Sequence, residues 1–243
     1  MDRLIYTSMT GAKHLMARQD TLAQNLANAN TTGYRADTVA LRAVPINGQA
    51  AGTRVFTVET TTGSDFKTGP MTSTGRNLDV AVQGSGWLTV QDANGEEALT
   101  RAGSLQIAAD GTVQLPNGLT VVGDGGPITI PPDAQVTVAP DGTISVKTPG
   151  SNAVNAVGRL KLVDPPQEDL VKGLDGLFRL KSGEPAEADA NVRVAEGTLE
   201  GSNVNVVEAM VGMISAARQF EMQMKLLQSA EQNEQSAASL LRT

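Results

Sequence analysis

At 243 residues the chain is long enough for one large or two small domains with a real core. Its net charge of −7 and pI near 4.8 argue against nucleic acid as the main partner, and the absence of cysteine excludes disulfides and thiolate metal sites. The charge is uneven: residues 1–45 and 199–243 together carry eight basic and eight acidic side chains, so the whole −7 lies between them, 11 basic against 18 acidic. Near-neutral ends suit close packing against copies or homologues, and an acidic middle suits solvent.

Residues 3–30 read as an amphipathic helix. Ile5, Met9, Ala12, Met16, Ala23 and Leu26 recur at three-four spacing, interrupted by Gln19 and widened by Leu4, Leu15 and Leu22. Asp2 can cap the start, and Asn28, Asn30 and Gly33 tolerate the left-handed backbone that ends a helix. Met1 to Thr21 lacks an apolar core and a small-residue cleavage site, so no secretory signal peptide is expected. Residues 36–75 read as an extended arm with two β-like pieces, Ala40–Val44 and Arg54–Glu59.

From Leu78 the period changes to two. Short partly alternating runs (Leu78–Val82, Trp87–Val90, Leu119–Val122, Gln135–Val138, Thr143–Val146 and others) are separated by Asn94-Gly95, Asp110-Gly111, Asn117-Gly118, Asp124-Gly125, Asp141-Gly142 and Asp175-Gly176. Asn-Gly and Asp-Gly signal hairpins because both residues tolerate positive φ. An antiparallel β domain is therefore expected over 76–202. All eleven prolines fall between Pro45 and Pro185, which sets this middle apart from the ends.

Gly201–Asn205 breaks the β pattern, and Asn205 with Glu208 forms a variant capping box. A seven-residue repeat follows: Val206, Met210, Met213, Ala217, Phe220, Met224 and Leu227, continued through Glu231, Glu234, Ala238 and Leu241. A helix over 205–241 would be about 55 Å long at 1.5 Å per residue, with little nearby sequence to cover its stripe. Charged and polar interruptions leave no membrane span. The expected fold class is α+β: long paired N- and C-terminal helices, coiled-coil-like, from 1–35 and 203–243, with an inserted antiparallel all-β domain of hairpins.

Nothing in the sequence assembles a catalytic, cofactor or metal site. His14, the one histidine, has no ligand partners at metal spacing. Gln83–Trp87 is a glycine-bearing turn without the following helix of a phosphate loop. The Asp-Gly turns lack calcium-loop spacing, and Glu96-Glu97 is a solvated hairpin tip. Met210, Met213, Met222 and Met224 at helical spacing suit packing against irregular neighbours. The terminal stripes hold more apolar surface than one copy can bury, so residues Ile5, Met9, Ala12, Met16 and Leu26, with the repeat from Val206 to Leu227, are the expected subunit interface. A different class of reading is a secreted adhesive β protein with a helical stalk.

Asn25–Arg35 resembles the N-terminal signature of the bacterial flagellar rod and hook proteins. Leu199–Asn205, followed by Met210, Met213-Ile214, Arg218, Phe220-Glu221 and Lys225, resembles their C-terminal signature. Leu78–Val82, Gly84, Gly86–Leu88, Leu99–Arg101, Gly103 and Gly111 are similar to their β-domain pattern. The family often has proline before the glycine, where this chain has Thr32. The resemblance spans the whole chain and is strongest to proximal-rod members, with the distal rod a close relative. It implies a structural basal-body rod subunit without enzymatic activity or cofactor. Its partners would be other rod proteins and copies of itself, forming a helical drive shaft in the periplasm after export, with no cleaved signal peptide, through the flagellar type III apparatus. Asn25, Asn28, Gly33, Tyr34, Gly201, Ser202, Asn203 and Asn205 would shape the helix ends or meet the next subunit.

Overall fold

The computed structural model describes residues 2–45, 55–92, 94–148 and 153–240. Helix α1 (Asp2–Ala27) opens the chain and helix α2 (Val206–Leu240) follows the β region. Strands β1 (Asp37–Pro45), β2 (Val55–Ser64), β3 (Met71–Ser73), β4 (Val80–Gln83), β5 (Trp87–Gln91) and β6 (Glu97–Thr100) come first among many short ones, all paired antiparallel. The chain is thus α+β, and it divides into two compact units, with Met1–Ala29, Asp37–Asp65 and Val204–Thr243 supplying the described residues of the first and Asn30–Ala36 and Phe66–Asn203 those of the second.

In the first unit α1 and α2 pack side by side and antiparallel. Gly11 lies opposite Gln223, and Leu22 opposite Gly212. The close approach uses small side chains: Ala12, Ala209 and Ala216 are buried. The segment expected to be an arm contains a long hairpin here, β1 against β2, with Asp37 opposite Ser64 and a bulge between Val39 and Leu41. Asn25 ties its base to α1: Oδ1 accepts from Asp37 N–H at 2.8 Å and Nδ2 donates to Asp37 C=O at 2.9 Å.

The second unit is built on a nine-stranded sheet centred on β5 and β6, with smaller sheets beside it. Val80, Val82, Leu88, Val90, Leu105, Ile144 and Leu160 make its main core. A second cluster gathers Trp87, Leu99, Val163, Leu170 and Phe178, with the Trp87 and Phe178 ring centres 4.6 Å apart.

The hairpin turns differ from expectation in geometry. At Asp110-Gly111, Asn117-Gly118, Asp141-Gly142 and Asp175-Gly176 only the glycine has positive φ, between 80° and 86°. Gly111 N–H donates to Ala108 C=O, and Ala108 N–H to Thr112 C=O. Leu115–Leu119, Ala139–Thr143 and Gly173–Leu177 repeat the pattern. These are three-residue loops in which a type I turn is followed by one left-handed glycine. The Asp or Asn is specified by its side chain: Oδ1 accepts the N–H two residues on, at Thr112, Leu119, Thr143 and Leu177. At Asp124-Gly125 the positive φ falls on Gly126 instead.

Candidate assembly site

Two features stand out, one in each unit. The first is the uncovered apolar surface of the helices. On α2, Ala209 and Ala216 are the buried ones among the described side chains, so the closest contact runs along the side of small side chains. Elsewhere Val207 is 70% exposed, Val211 61%, Ile214 56% and Met222 61%. Of the repeat positions, Val206, Met210 and Met224 are exposed, while Met213, Ala217, Phe220 and Leu227 are half-buried. On α1, Ala12 is buried, Leu26 is half-buried, and Met9 and Met16 are exposed; the Ile5 side chain lies outside the described residues. The first turns of α2 are therefore apolar over most of their circumference and covered on one side only. A helix apolar all round is normally buried all round.

The start of α2 is fixed by Asn205, whose Oδ1 accepts the N–H groups of Val207 and Glu208 at 3.1 and 3.2 Å. That satisfies two of the four orphan donors of the first turn. At the end of α1, Asn28 Nδ2 donates to Gln24 C=O at 2.9 Å and its N–H to the same carbonyl at 3.1 Å.

The second feature is a buried ion triad. Glu200 Oε1 lies 2.7 Å from Arg35 Nη1, and Oε2 lies 3.1 Å from Arg101 Nη1, with all three side chains no more than 1% exposed. Further bonds fix each member. Arg35 Nη1 donates to Lys67 C=O at 2.6 Å, Arg101 Nη1 to Val82 C=O at 3.0 Å and Nη2 to Gly84 C=O at 2.5 Å, and Gly69 N–H donates to Glu200 Oε1 at 3.0 Å. Two guanidiniums against one carboxylate leave one buried positive charge uncompensated. Burial pushes the Arg101 guanidinium below its ordinary pKa, and the attraction of Glu200 only partly offsets this.

Of the residues expected to shape the helix ends, Gly33, Tyr34, Gly201, Ser202 and Asn203 lie in the same unit as this triad, whereas Asn25, Asn28 and Asn205 belong to the helical unit. Gly33, at φ 69°, donates its N–H to Glu200 C=O at 2.8 Å. A Cβ on Gly33 would lie 2.2 Å from the Arg101 carbonyl carbon. Tyr34 is buried, accepts at its C=O from Asn203 N–H, and carries Lys172 Nζ 4.0 Å above its ring. Asn203 Oδ1 accepts from Ala36 N–H at 2.7 Å and its Nδ2 donates to Lys67 C=O at 3.0 Å. Gly201 N–H donates to Pro70 C=O, and Ser202 is buried. The Asn30–Ala36 turn, the Lys67–Pro70 segment and Glu200–Asn203 are thus laced together within one unit. Arg35, Arg101 and Glu200 lie inside the sequence signatures, but nothing in their spacing marks them as partners.

Among the described residues no group of His, Cys, Asp or Glu is arranged to hold a metal ion, and no helix is long and apolar enough to cross a membrane. The described residues show an uncovered apolar helix surface in one unit and a buried, hydrogen-bonded ion triad in the other. Residues 5–35 match the family described as flagella basal body rod protein, 81–146 the flagellar hook protein FlgE/F/G D1 domain, and 195–240 the flagellar basal body rod FlgEFG protein C-terminal region. The chain is 47% identical to the flagellar basal-body rod protein FlgF of Salmonella typhimurium, with 99% of each chain covered. It belongs to the flagellar basal-body rod protein family. FlgF of Escherichia coli is also 47% identical over 99% of both chains, and the rod protein FlgG of Agrobacterium fabrum is 29% identical over 95% of this chain and 96% of its own. This FlgF-like rod subunit draws its triad from all three matched regions, one residue from each: Arg35, Arg101 and Glu200.

Proposed function

We propose that this rod subunit builds the proximal part of the rod by burying the uncovered apolar faces of α1 and α2 against copies of itself and other rod proteins. The observation that carries this is the exposure of Val207, Met210, Val211 and Ile214 at the start of α2, where sequence and fold leave a greasy surface facing outward. Four such side chains, each worth roughly 1.5–3 kcal/mol on full burial, give a strong drive to associate. In this reading the residues of 1–35 and 203–243 form the inner tube, with heptad positions of neighbouring helices meeting as in a coiled coil.

The role is structural rather than catalytic: the polymer transmits torque. The subunit reaches the periplasmic basal body through the flagellar type III export apparatus. The FlgF similarity at 47% against 29% to FlgG favours the proximal over the distal rod.

The test is complementation of a strain lacking its own FlgF-like subunit. Wild-type chain is expected in purified basal bodies, and Met210→Lys or Ile214→Glu is expected to abolish incorporation. Both positions are exposed in the single chain, so the unfolding midpoint should move by less than about 0.5 kcal/mol. Normal rods with either substitution would refute the interface.

A further inference from the structure

Within the helical unit, α1 and α2 leave a groove along one side of their seam. Gly11, Leu15 and Arg18 line the α1 wall, and Met222, Gln223 and Leu226 the α2 wall. Each wall is a stripe at three-four spacing, about two turns long, or roughly 11 Å. The lining is mainly apolar, with Met222 61% and Leu226 50% exposed. Arg18 is exposed at one end of it, and no carboxylate lines it. α2 also outruns α1. In the antiparallel register that sets Gly11 opposite Gln223 and Leu22 opposite Gly212, each step along α1 is a step back along α2, so Asp2 falls opposite Gln232. α2 continues from Asn233 to Leu240, about eight residues or 12 Å past the start of α1. This end matches the groove in length, and its chemistry is the reverse. The apolar repeat of α2 turns acidic at Glu231 and Glu234, the only charged residues between Lys225 and Arg242. Ser236, Ala237, Ala238 and Ser239 follow, small residues that let another helix approach closely.

We propose that the last two turns of α2 from one copy lie in the α1–α2 groove of the next copy, with Glu234 paired to Arg18. The groove offers a cation without a carboxylate, and the helix end offers carboxylates without a cation. Copies joined head to tail keep one orientation, so the incoming end runs parallel to the α2 it meets and antiparallel to α1. With Glu234 at Arg18, Ala238 comes one turn further on, beside Leu15. This rests on the rod-subunit reading for the presence of neighbouring copies, and names the segment by which one copy holds the next.

The test is charge reversal in the full chain, read as the amount of subunit in basal bodies purified from the complemented strain. Wild-type incorporation is measured first, and its absence overturns the rod reading itself. Arg18→Glu and Glu234→Arg are each expected to lower incorporation at least about tenfold. Combined in one chain they restore the pair, since every copy then brings both, and incorporation should return to within about twofold of wild type. Single variants that incorporate normally, or a double variant no better than either single, overturn the proposal. Loss with Arg18→Glu but not with Glu234→Arg overturns a second copy as the occupant and points to another rod protein in the groove. The absence of cysteine allows a second readout, Leu15→Cys with Ala238→Cys in one chain. Leu15 falls opposite Gln219 in the same register, so the two positions of one copy lie about 28 Å apart along the helices, against the roughly 7 Å that a disulfide spans. Only neighbouring copies can then be linked. Oxidised basal bodies should yield disulfide-bonded dimers and longer ladders, and rods that contain the variant yet yield monomer alone overturn the proposal.

Discussion

Replacing Glu200 by glutamine tests the triad most directly. Glutamine keeps the shape and can still accept from Gly69 N–H, which now bonds Oε1. It removes the carboxylate that pairs with both Arg35 and Arg101, and turns an amide N–H toward a guanidinium that has no acceptor to offer. Breaking a fully buried ion pair costs about 3–5 kcal/mol, because the partner charge stays buried and uncompensated. That is a large share of the roughly 5–15 kcal/mol that holds a domain folded. At about 2–4 °C per kcal/mol for a chain of this size, the transition should fall by about 10 °C. The assay is thermal and urea unfolding followed by Trp87 emission, which reports the β unit. The chain holds its own control: the Lys161–Glu97 bridge is partly exposed, at 15% and 27%. Glu97→Gln should therefore cost under about 1 kcal/mol. If Glu200→Gln costs no more than Glu97→Gln, the triad is not the clamp argued here.

Gly33→Ala should cost at least about 2 kcal/mol, since it combines a left-handed backbone with a Cβ in contact with the Arg101 main chain; the same unfolding assay reads it. Asn205→Ala removes the acceptor for two N–H groups and should cost about 1 kcal/mol, visible as fraying of α2 in amide hydrogen exchange. The carboxyls of Asp92 and Asp175 are held below the usual range by Arg179, that of Asp110 by the Thr112 hydroxyl and N–H, and that of Asp141 by the Thr143 N–H and hydroxyl. A lowered folded-state pKa adds stability that is fully present above the ordinary carboxylate value of about 4 and is lost as pH falls through the folded value. Urea midpoints should thus be flat on this account from pH 7 to 5 and decline below pH 4. A midpoint that rises on acidification would contradict these assignments.

Much of this architecture is legible in the sequence because it is local. The Asn205 cap and the seven-residue apolar repeat mark α2, and α1, read as 3–30, stops at Ala27, just before Asn28. The hairpin positions follow from Asp-Gly and Asn-Gly, but their turn type does not. Whether Asp110 takes positive φ or caps Thr112 with its side chain is decided by the strands it joins. The segment 36–75 shows the opposite case: Thr-rich and poor in alternation, it gives little sign that β1 and β2 pair along their length. The triad is invisible for a simpler reason. Arg35, Arg101 and Glu200 are separated by 66 and 99 positions, and no period or spacing rule reaches that far. Only the unusual burial of a carboxylate between two arginines identifies them.

The triad sits where the chain leaves and re-enters the β unit. Both chain passages out of the β unit start beside it: Arg35 lies two residues before β1, and Glu200 lies five before the Asn205 cap of α2. A shift of either passage by one residue would move its charged group off its partner, and would also carry Gly33 off the Glu200 carbonyl and Asn203 off Ala36 N–H. Each such error strands a buried charge or a buried donor, at about 1–3 kcal/mol for a polar group and more for a charged one. A hydrophobic junction of equal volume could be as stable or more so, but it would tolerate such slips, because apolar contacts have no direction. The buried charge therefore contributes register more than stability. Replacing all three residues together by apolar ones of similar size should leave the unfolding midpoint unchanged or raised, while the single Glu200→Gln change lowers it. Should the triple replacement prove as destabilising as the single one, the triad would be a source of stability and the register argument would fail.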